Sequence, residues 1–245
     1  MIEIIPKNKQ AQGEFNGGDI IENKPIGFPQ DGGETQPYSN IFYWAYAKAK
    51  KNSTIGLHPH KGFEIITFVL KGSIRHYDTL LTKWIDLQEG DIQVIKSGSG
   101  VSHSEALNKD AAIFQIWFDP NLDKSLNKKA EYQDYKKEEF NLKGKTKKLI
   151  GNNATIKIDS EGVEVYELYL RNEEYKIQNK ENEMYSLYIL DGEIEINNKK
   201  TNVDNFIIIT EKEEVLITAK TATKIFCIKS KKNLSYPSYF TKYLK

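Results

Sequence analysis

Short apolar segments recur along this chain, and glycine turns separate many of them. Residues 40–47 (NIFYWAYA) and 63–70 (FEIITFVL) are dominated by aromatic and β-branched residues, and Gly72 and Gly90 each introduce a further segment. Short segments of this composition at regular spacing are typical of an all-β sandwich or small barrel. The predicted strands are residues 40–47, 63–70, 73–78, 91–95, 111–118, 163–170, 184–190, 193–197, 206–210, 214–218 and 224–229.

Two segments lack this pattern. Residues 1–37 are rich in glycine and proline, which predicts a mostly irregular lead-in with room for one edge strand. Residues 121–145 are rich in lysine and poor in apolar residues. This composition predicts a solvated linker with a helical turn or two.

A weak internal repeat divides the chain into two parts. VLKGSI at residues 69–74 matches ILDGEI at 189–194, an offset of 120, and IFQI at 113–116 matches IFCI at 225–228, an offset of 112. Such self-similarity predicts two related β-domains. The predicted boundaries are an N-terminal domain over 1–125, a linker over 126–145 and a C-terminal domain over 146–245.

Composition limits the classes of partner. Lys+Arg 35 nearly balance Asp+Glu 34, so no overall charge attracts nucleic acid or a membrane surface. Residues 1–20 contain no apolar run behind a basic start, and Cys227 is the single cysteine, so we expect neither a signal peptide nor an intrachain disulfide. We therefore expect a cytoplasmic protein that binds neither nucleic acid nor membrane.

The chemistry is concentrated in residues 56–105, which contain all four histidines of the chain. On a β-strand, residues i and i+2 project from the same face, so His58 and His60 share one face, as do His103 and Glu105 on a second strand. We expect the two strands to face each other across a barrel and to bring the four side chains to one point. Three imidazoles and one carboxylate suit Fe(II), Mn, Ni, Cu or Zn and leave two positions open on an octahedral ion.

Other residues in this stretch have alternative interpretations. Glu64 could be an alternative ligand, an acceptor for an imidazole N–H, or an ion-pair partner of Lys61, and we favour a role near the site without ligation. His76 is better explained as a hydrogen-bonded strand residue. Aromatic residues either line a pocket for a flat substrate or fill the barrel, and filling is the commoner role. Those aromatic residues are Phe42, Trp44, Phe114 and Trp117.

The second copy of the repeat cannot build the same site. A shift of 120 residues replaces His58 by Gln178 and His60 by Lys180, and no histidine follows His103. We therefore expect one metal per chain, held by the N-terminal domain.

These motifs resemble a known family. Residues 56–72 are similar to the first cupin motif and residues 90–105 to the second, and the runs HPHKGFE, VLKGSIRHYD and GDIQVIKSGSGVSHSE are similar to the signature of pirin-like proteins. The resemblance implies a bicupin, with two jelly-roll-like β-barrels packed face to face in one chain. It also implies one metal, usually iron, in the N-terminal barrel. The ligands carried over by motif are His58, His60, His103 and Glu105.

The resemblance also implies two functions. Bacterial members resemble quercetin 2,3-dioxygenases, which implies a flavonol as small aromatic substrate, dioxygen as second substrate, and Glu105 or Glu64 as proton acceptor. The mammalian member of the family is an iron-bound transcriptional co-regulator. Resemblance to it implies the alternative function, that of a non-enzymatic, redox-responsive iron protein that binds a protein partner. Residues 79–82 (TLLT) depart from the usual Ser-x-Gly-Asn turn of the family, which leaves the identity of the substrate open.

Overall fold

The computed structural model describes residues 1–211 and 214–244, and within them almost all regular structure is β-strand. The strands are β1 Ile2–Ile5, β2 Ala11–Phe15, β3 Ile20–Ile26, β4 Ile41–Ala49, β5 Ser53–His60, β6 Glu64–Lys71, β7 Ser73–Asp78, β8 Trp84–Gln88, β9 Ile92–Lys96, β10 Val101–Leu107, β11 Ala112–Phe118, β12 Glu131–Tyr135, β13 Leu142–Lys143, β14 Thr146–Ile150, β15 Glu164–Gln178, β16 Glu183–Asp191, β17 Glu193–Ile196, β18 Lys199–Asn202, β19 Phe206–Ile209 and β20 Glu214–Lys231. The helical segments are α1 Leu122–Ser125, the 3₁₀ turns Lys7–Lys9 and Lys137–Glu139, and the turn Phe240–Leu244. No helix among the described residues is long and apolar enough to cross a membrane.

The described chain forms two compact units. The first unit comprises Gln10–Glu139 and the C-terminal residues from Tyr236 onward, and the second comprises Met1–Lys9 and Phe140–Ser235. Strand β12 of the first unit lies inside the segment predicted as a linker and pairs with β9. The predicted domain boundaries themselves stay a prediction.

The first unit is a sandwich of two antiparallel sheets. One has the order β12-β9-β6-β11-β4-β3-β2 and the other the order β5-β10-β7-β8. Their inner faces share an apolar core, because alternate residues of each strand point to the same face. The core residues are Ile20, Ala47, Ala49, Val69, Ile74, Leu87, Leu107, Ala111 and Ile113.

The second unit is one branched antiparallel sheet. Its main path is β1-β19-β16-β20-β15-β14-β13, and β17 and β18 extend it by pairing from β20. Its largest core cluster is mainly aliphatic, with Cys227 as a fully buried thiol, and Tyr188, Phe206 and Phe226 of this unit are also fully buried. Gln178 and Lys180, which replace the paired histidines in the repeat, are both exposed.

Two expectations about the strands were wrong. The lead-in over residues 1–37 contains three strands, β1, β2 and β3. The sequence did not indicate β3, because polar residues occupy buried positions of this strand and hide its alternation of apolar and polar residues. Residues 214–218 and 224–229 belong to one continuous strand, β20, which pairs along its length with β15. The all-β fold class is confirmed.

We predict that Gly192→Ala destabilises the second unit by roughly 3 kcal/mol, because strain at positive φ adds to overpacking. Gly192 has φ +77°, and an added Cβ would lie 2.5 Å from the carbonyl oxygen of Ala222. Gly144→Ala is the matched control, since its φ is +61° and nothing lies within 4 Å of its added Cβ. Urea titration followed by circular dichroism should show the larger loss for Gly192. Equal losses would show that the close approach of Ala222 is unimportant.

Candidate metal centre

Three histidine side chains converge in the first unit. The Nε2 atom of His103 lies 2.8 Å from Nε2 of His60 and 3.0 Å from Nε2 of His58. Each residue offers one ligand atom, these atoms all lie within 4.8 Å of one another, and among the described residues they form the only such group of histidine, cysteine or acidic side chains. The group could hold a metal ion.

Neighbouring strands position the three rings. His103 on β10 is paired with His58 on β5, and His60 follows two residues later on the same strand, so period two places both β5 imidazoles beside His103. The expectation that the two strands face each other across a barrel was wrong, because β5 and β10 are adjacent in one sheet. Adjacent antiparallel strands bring paired side chains within about 5 Å, which is sufficient for convergence.

Two of the three histidines, His60 and His103, are in the neutral state that metal binding requires. Burial, reinforced by the neighbouring imidazoles, lowers the pKa of His60 to about 3 and that of His103 to about 2. Both rings are therefore neutral at physiological pH. His58 is half-buried, and its Nδ1 donates to the carbonyl oxygen of Gly56 at 2.8 Å, so its Nε2 lone pair faces His103.

This donor set fits a transition metal. A neutral imidazole has one N–H and one lone pair, so the Nε2 of His103 can donate to only one of its two neighbours. Hydrogen bonding among the rings therefore cannot satisfy all three Nε2 atoms, and His103 is fully buried from water. A borderline divalent ion accepts all three lone pairs at once, and imidazole nitrogen suits such ions.

Glu105 lies next to this group without being part of it. The regular pairing of β10 with β7 keeps Glu105 on the same face as His103, and its side chain is buried. Gln115 Nε2 donates to its two carboxylate oxygens at 2.8 and 2.9 Å, and Thr67 Oγ1 lies 3.5 Å from one of them. The role of Glu105 as a fourth ligand stays a prediction.

Glu64 and His76 have other surroundings. Glu64 pairs with Phe118, whereas its neighbour Ile65 pairs with Trp117, so Glu64 points to the face of β6 away from Trp117. Lys96 Nζ lies 3.8 Å from its carboxylate. His76 is a hydrogen-bonded interior residue, as expected: its Nε2 donates to Asp78 at 2.7 Å and its Nδ1 accepts from Gln93 at 3.1 Å.

Aromatic rings extend from the histidines. The Trp117 ring meets the His60 ring edge-on at a centroid distance of 4.7 Å. It also contacts the rings of Phe28, Phe42, Tyr43 and Phe63, and the Tyr239 ring packs on Phe42. We call this set the aromatic wall: Phe28, Phe42, Tyr43, Phe63, Trp117 and Tyr239. The predicted pocket residues Trp44 and Phe114 lie elsewhere: they contact each other, and both are fully buried.

Sequence reasoning missed a charged cluster beside the aromatic wall. Lys24 Nζ lies 2.9 Å from Asp31 and 3.6 Å from Glu22, and the Tyr43 hydroxyl donates to Glu22 at 3.2 Å. Burial raises the pKa of Glu22, and also that of Tyr43. Sequence alternation gave no signal for this cluster, because charged residues on a strand ordinarily indicate its solvent face.

The C-terminal residues complete the aromatic wall. The backbone N–H of Tyr239 donates to the Asp119 carboxylate, and the Tyr236 hydroxyl donates to the Asp119 carbonyl oxygen at 2.8 Å. The Tyr239 ring packs on Phe42 and Phe63 at 5.2 and 5.3 Å. Burial raises the pKa of Asp119 to about 7, although the Tyr239 N–H acts in the opposite direction.

The histidine segment matches proteins of known families. The pirin family model matches residues 31–118, which include all four predicted ligands. The chain is 39% identical over 79 residues to a pirin-like protein of Caulobacter vibrioides, covering 31% of this chain and 34% of that protein. It is 37% identical over 68 residues to quercetin 2,3-dioxygenase of Escherichia coli, covering 26% and 29%. These matches span about a third of the length of the curated relatives.

The fold likeness covers more of the chain. The crystal structure of bacterial pirin YhhW from Escherichia coli in complex with nickel(II) matches 94% of this chain and 99% of its own, with a TM-score of 0.81 and 20% identity. At this identity the likeness shows the fold, which is that of a bicupin.

We predict that the contribution of Asp119 to the stability of the first unit is lost as pH rises from about 4 to about 7, opposite in direction to the contributions of His60 and His103, because the Asp119 carboxyl holds its proton in the folded state over that range. Its folded pKa lies above the unfolded value of 3.8, so the folded state binds more protons and higher pH favours unfolding. Asp119→Asn should remove this part of the pH dependence. Thermal unfolding followed by tryptophan fluorescence reports on the first unit, since all three tryptophans lie there.

The matched control is Asp123→Asn. Asp123 is 73% exposed and pairs with Lys242 in the same part of the unit. This variant should keep the pH dependence of the wild type. If the melting temperature of the Asp119→Asn protein changed with pH in the same way as that of the wild type, the prediction would be contradicted, because Asp119 would then be ionised in the folded state.

Proposed function

We propose that this chain is a pirin-like mononuclear metal protein that acts as a dioxygenase on a flavonol such as quercetin, since the pirin family model matches residues 31–118 and the fold is that of a bicupin. The observation that carries the proposal is the convergence of three imidazoles, one of which, that of His60, meets the Trp117 ring. One matching relative is a quercetin 2,3-dioxygenase, and a structural neighbour is a pirin in complex with nickel(II).

The proposed ligands are His58, His60 and His103, with Glu105 as the fourth. The proposed ion is Fe(II), with Mn, Ni, Cu and Zn as alternatives that the same donor set accommodates. A bound ion would supply a Lewis acid that polarises and orients a substrate with adjacent oxygens for reaction with dioxygen. The second unit lacks histidine, so the proposal is one ion per chain.

The residues around the histidines would bind and orient the substrate. Trp117 joins His60 to the aromatic wall, and flat rings stack favourably on such side chains. Glu105 is the better candidate for accepting the substrate proton, since it faces the interior whereas Glu64 points to the opposite face of β6. The catalytic role predicted for Glu64 therefore has little geometric support. A cytoplasmic location also stays a prediction.

One observation favours the alternative function. Leu57 precedes His58 on β5 and is 58% exposed, so an apolar side chain next to a candidate ligand is accessible to a protein partner. A non-enzymatic regulator would use this surface to respond to the Fe(II)/Fe(III) state of the centre.

We predict that the purified protein binds one metal ion per chain and that the Fe(II) form consumes dioxygen when quercetin is added. His103→Ala should abolish metal binding, because it removes the imidazole that lies between the other two. Glu64→Gln is the control for metal content, since Glu64 lies on the other face of β6. Elemental analysis and an oxygen electrode give the two readouts.

A flavone that lacks the 3-hydroxyl is the matched control substrate, since it has no adjacent oxygen pair at that position and should support no dioxygen uptake. Full metal occupancy with no uptake for any flavonol would contradict the dioxygenase and favour the regulator. Metal binding that survives His103→Ala would contradict the centre itself.

A further inference from the structure

Gln115, which is half-buried, connects the two sheets of the first unit. It lies on the inner face of β11, in the seven-stranded sheet, and Glu105 lies on β10, in the four-stranded sheet. The Gln115 amide nitrogen lies 2.8 and 2.9 Å from the two carboxylate oxygens of Glu105. Because this amide contacts both oxygens, it restrains the rotation of the carboxylate as well as its position.

Trp117 fixes which way the Gln115 amide points. The indole Nε1–H donates to Gln115 Oε1 at 3.1 Å. A flipped amide would set its oxygen against the Glu105 carboxylate and its NH₂ against the indole N–H, so both contacts would become repulsive. The indole thereby keeps the NH₂ group directed at Glu105.

The same tryptophan supports a histidine. Trp117 and Gln115 are two residues apart on β11 and share its inner face, and the Trp117 ring meets His60 at 4.7 Å. The chain of contacts His60–Trp117–Gln115–Glu105 therefore joins an imidazole of the proposed centre to its carboxylate.

The hydrogen bonds leave Glu105 able to bind a metal. A carboxylate has about four lone-pair sites, and the Gln115 amide contacts one on each oxygen. Thr67 lies at the longer distance of 3.5 Å from one oxygen. A buried carboxylate needs such partners, since burial without them is costly.

From these contacts we infer that Gln115, held by Trp117, is a positioning residue that orients the Glu105 carboxylate for metal binding. This inference rests on the proposed function, because it assigns Glu105 to the metal centre. Gln115 itself does not bind the ion. Its effect on metal affinity passes through Glu105.

Gln115→Met tests the inference, because methionine has a similar length and no hydrogen-bond donor. We expect about tenfold weaker Ni(II) binding, the lower end of the effect of losing a partner of a metal ligand. The probe is Ni(II), titrated into the metal-free protein in competition with a chelating dye. Gln93→Met is the matched control: Gln93 is a glutamine of the same unit that donates to His76 instead of Glu105.

A double-mutant cycle separates positioning from a merely structural role. If Gln115 acts only through Glu105, the protein with both Glu105→Gln and Gln115→Met binds Ni(II) as weakly as Glu105→Gln alone. Additive losses would overturn the inference, since they would require an independent route from Gln115 to the ion.

A second variant guards against misfolding of Gln115→Met. Trp117→Phe keeps a ring beside His60 and removes the indole donor, so we expect about threefold weaker Ni(II) binding. In a protein that already carries Gln115→Met, Trp117→Phe should cause no further loss of affinity. Wild-type protein that does not bind Ni(II) would overturn the proposed centre together with the inference. Wild-type binding with unchanged affinity in both Gln115→Met and Trp117→Phe would overturn the inference alone.

Discussion

Polar groups inside an apolar sandwich must find partners, and this constraint organises the first unit. His60, His103 and Glu105 are all buried, above a core of aliphatic side chains. An unpartnered polar group in such surroundings costs free energy, and the neighbouring strands supply partners for the Glu105 carboxylate and for the Nε2 atoms of His60 and His103. Gln115 serves Glu105, and the three imidazoles face one another in an arrangement that an ion satisfies better than hydrogen bonds do.

Period two allowed the sequence to predict much of the centre. The spacing of His58 and His60 predicted that their side chains share one face, and the structure brings both together with His103. The sequence could not show that β5 and β10 are neighbours, because strand order depends on contacts between distant segments. The position of Glu64 could not be predicted for a similar reason. Its spacing from His60 allowed both side chains to share one face, but the chain between them includes Gly62 at positive φ, which interrupts the regular alternation of side chains.

Buried charge explains what the sequence concealed. Glu22 and Lys24 occupy buried positions of β3, where a sequence reading expects apolar residues, so that strand was predicted as an irregular lead-in. The contribution of Tyr239 could not be foreseen either, since it lies more than a hundred residues from Phe42 and Phe63 in sequence. In the second unit, where the largest core cluster is mainly aliphatic, the sequence pattern located most strands but divided β20 into two.

On this proposal, three histidines of the first unit hold one metal ion. X-ray absorption spectroscopy of the protein loaded with one equivalent of Ni(II) or Fe(II) tests it most directly, because scattering from imidazole rings identifies histidine ligands. We expect three imidazole nitrogens at about 2.1 Å from the ion, with oxygen as the remaining ligands. A first shell of oxygen alone, or one with a single imidazole, would contradict the proposal.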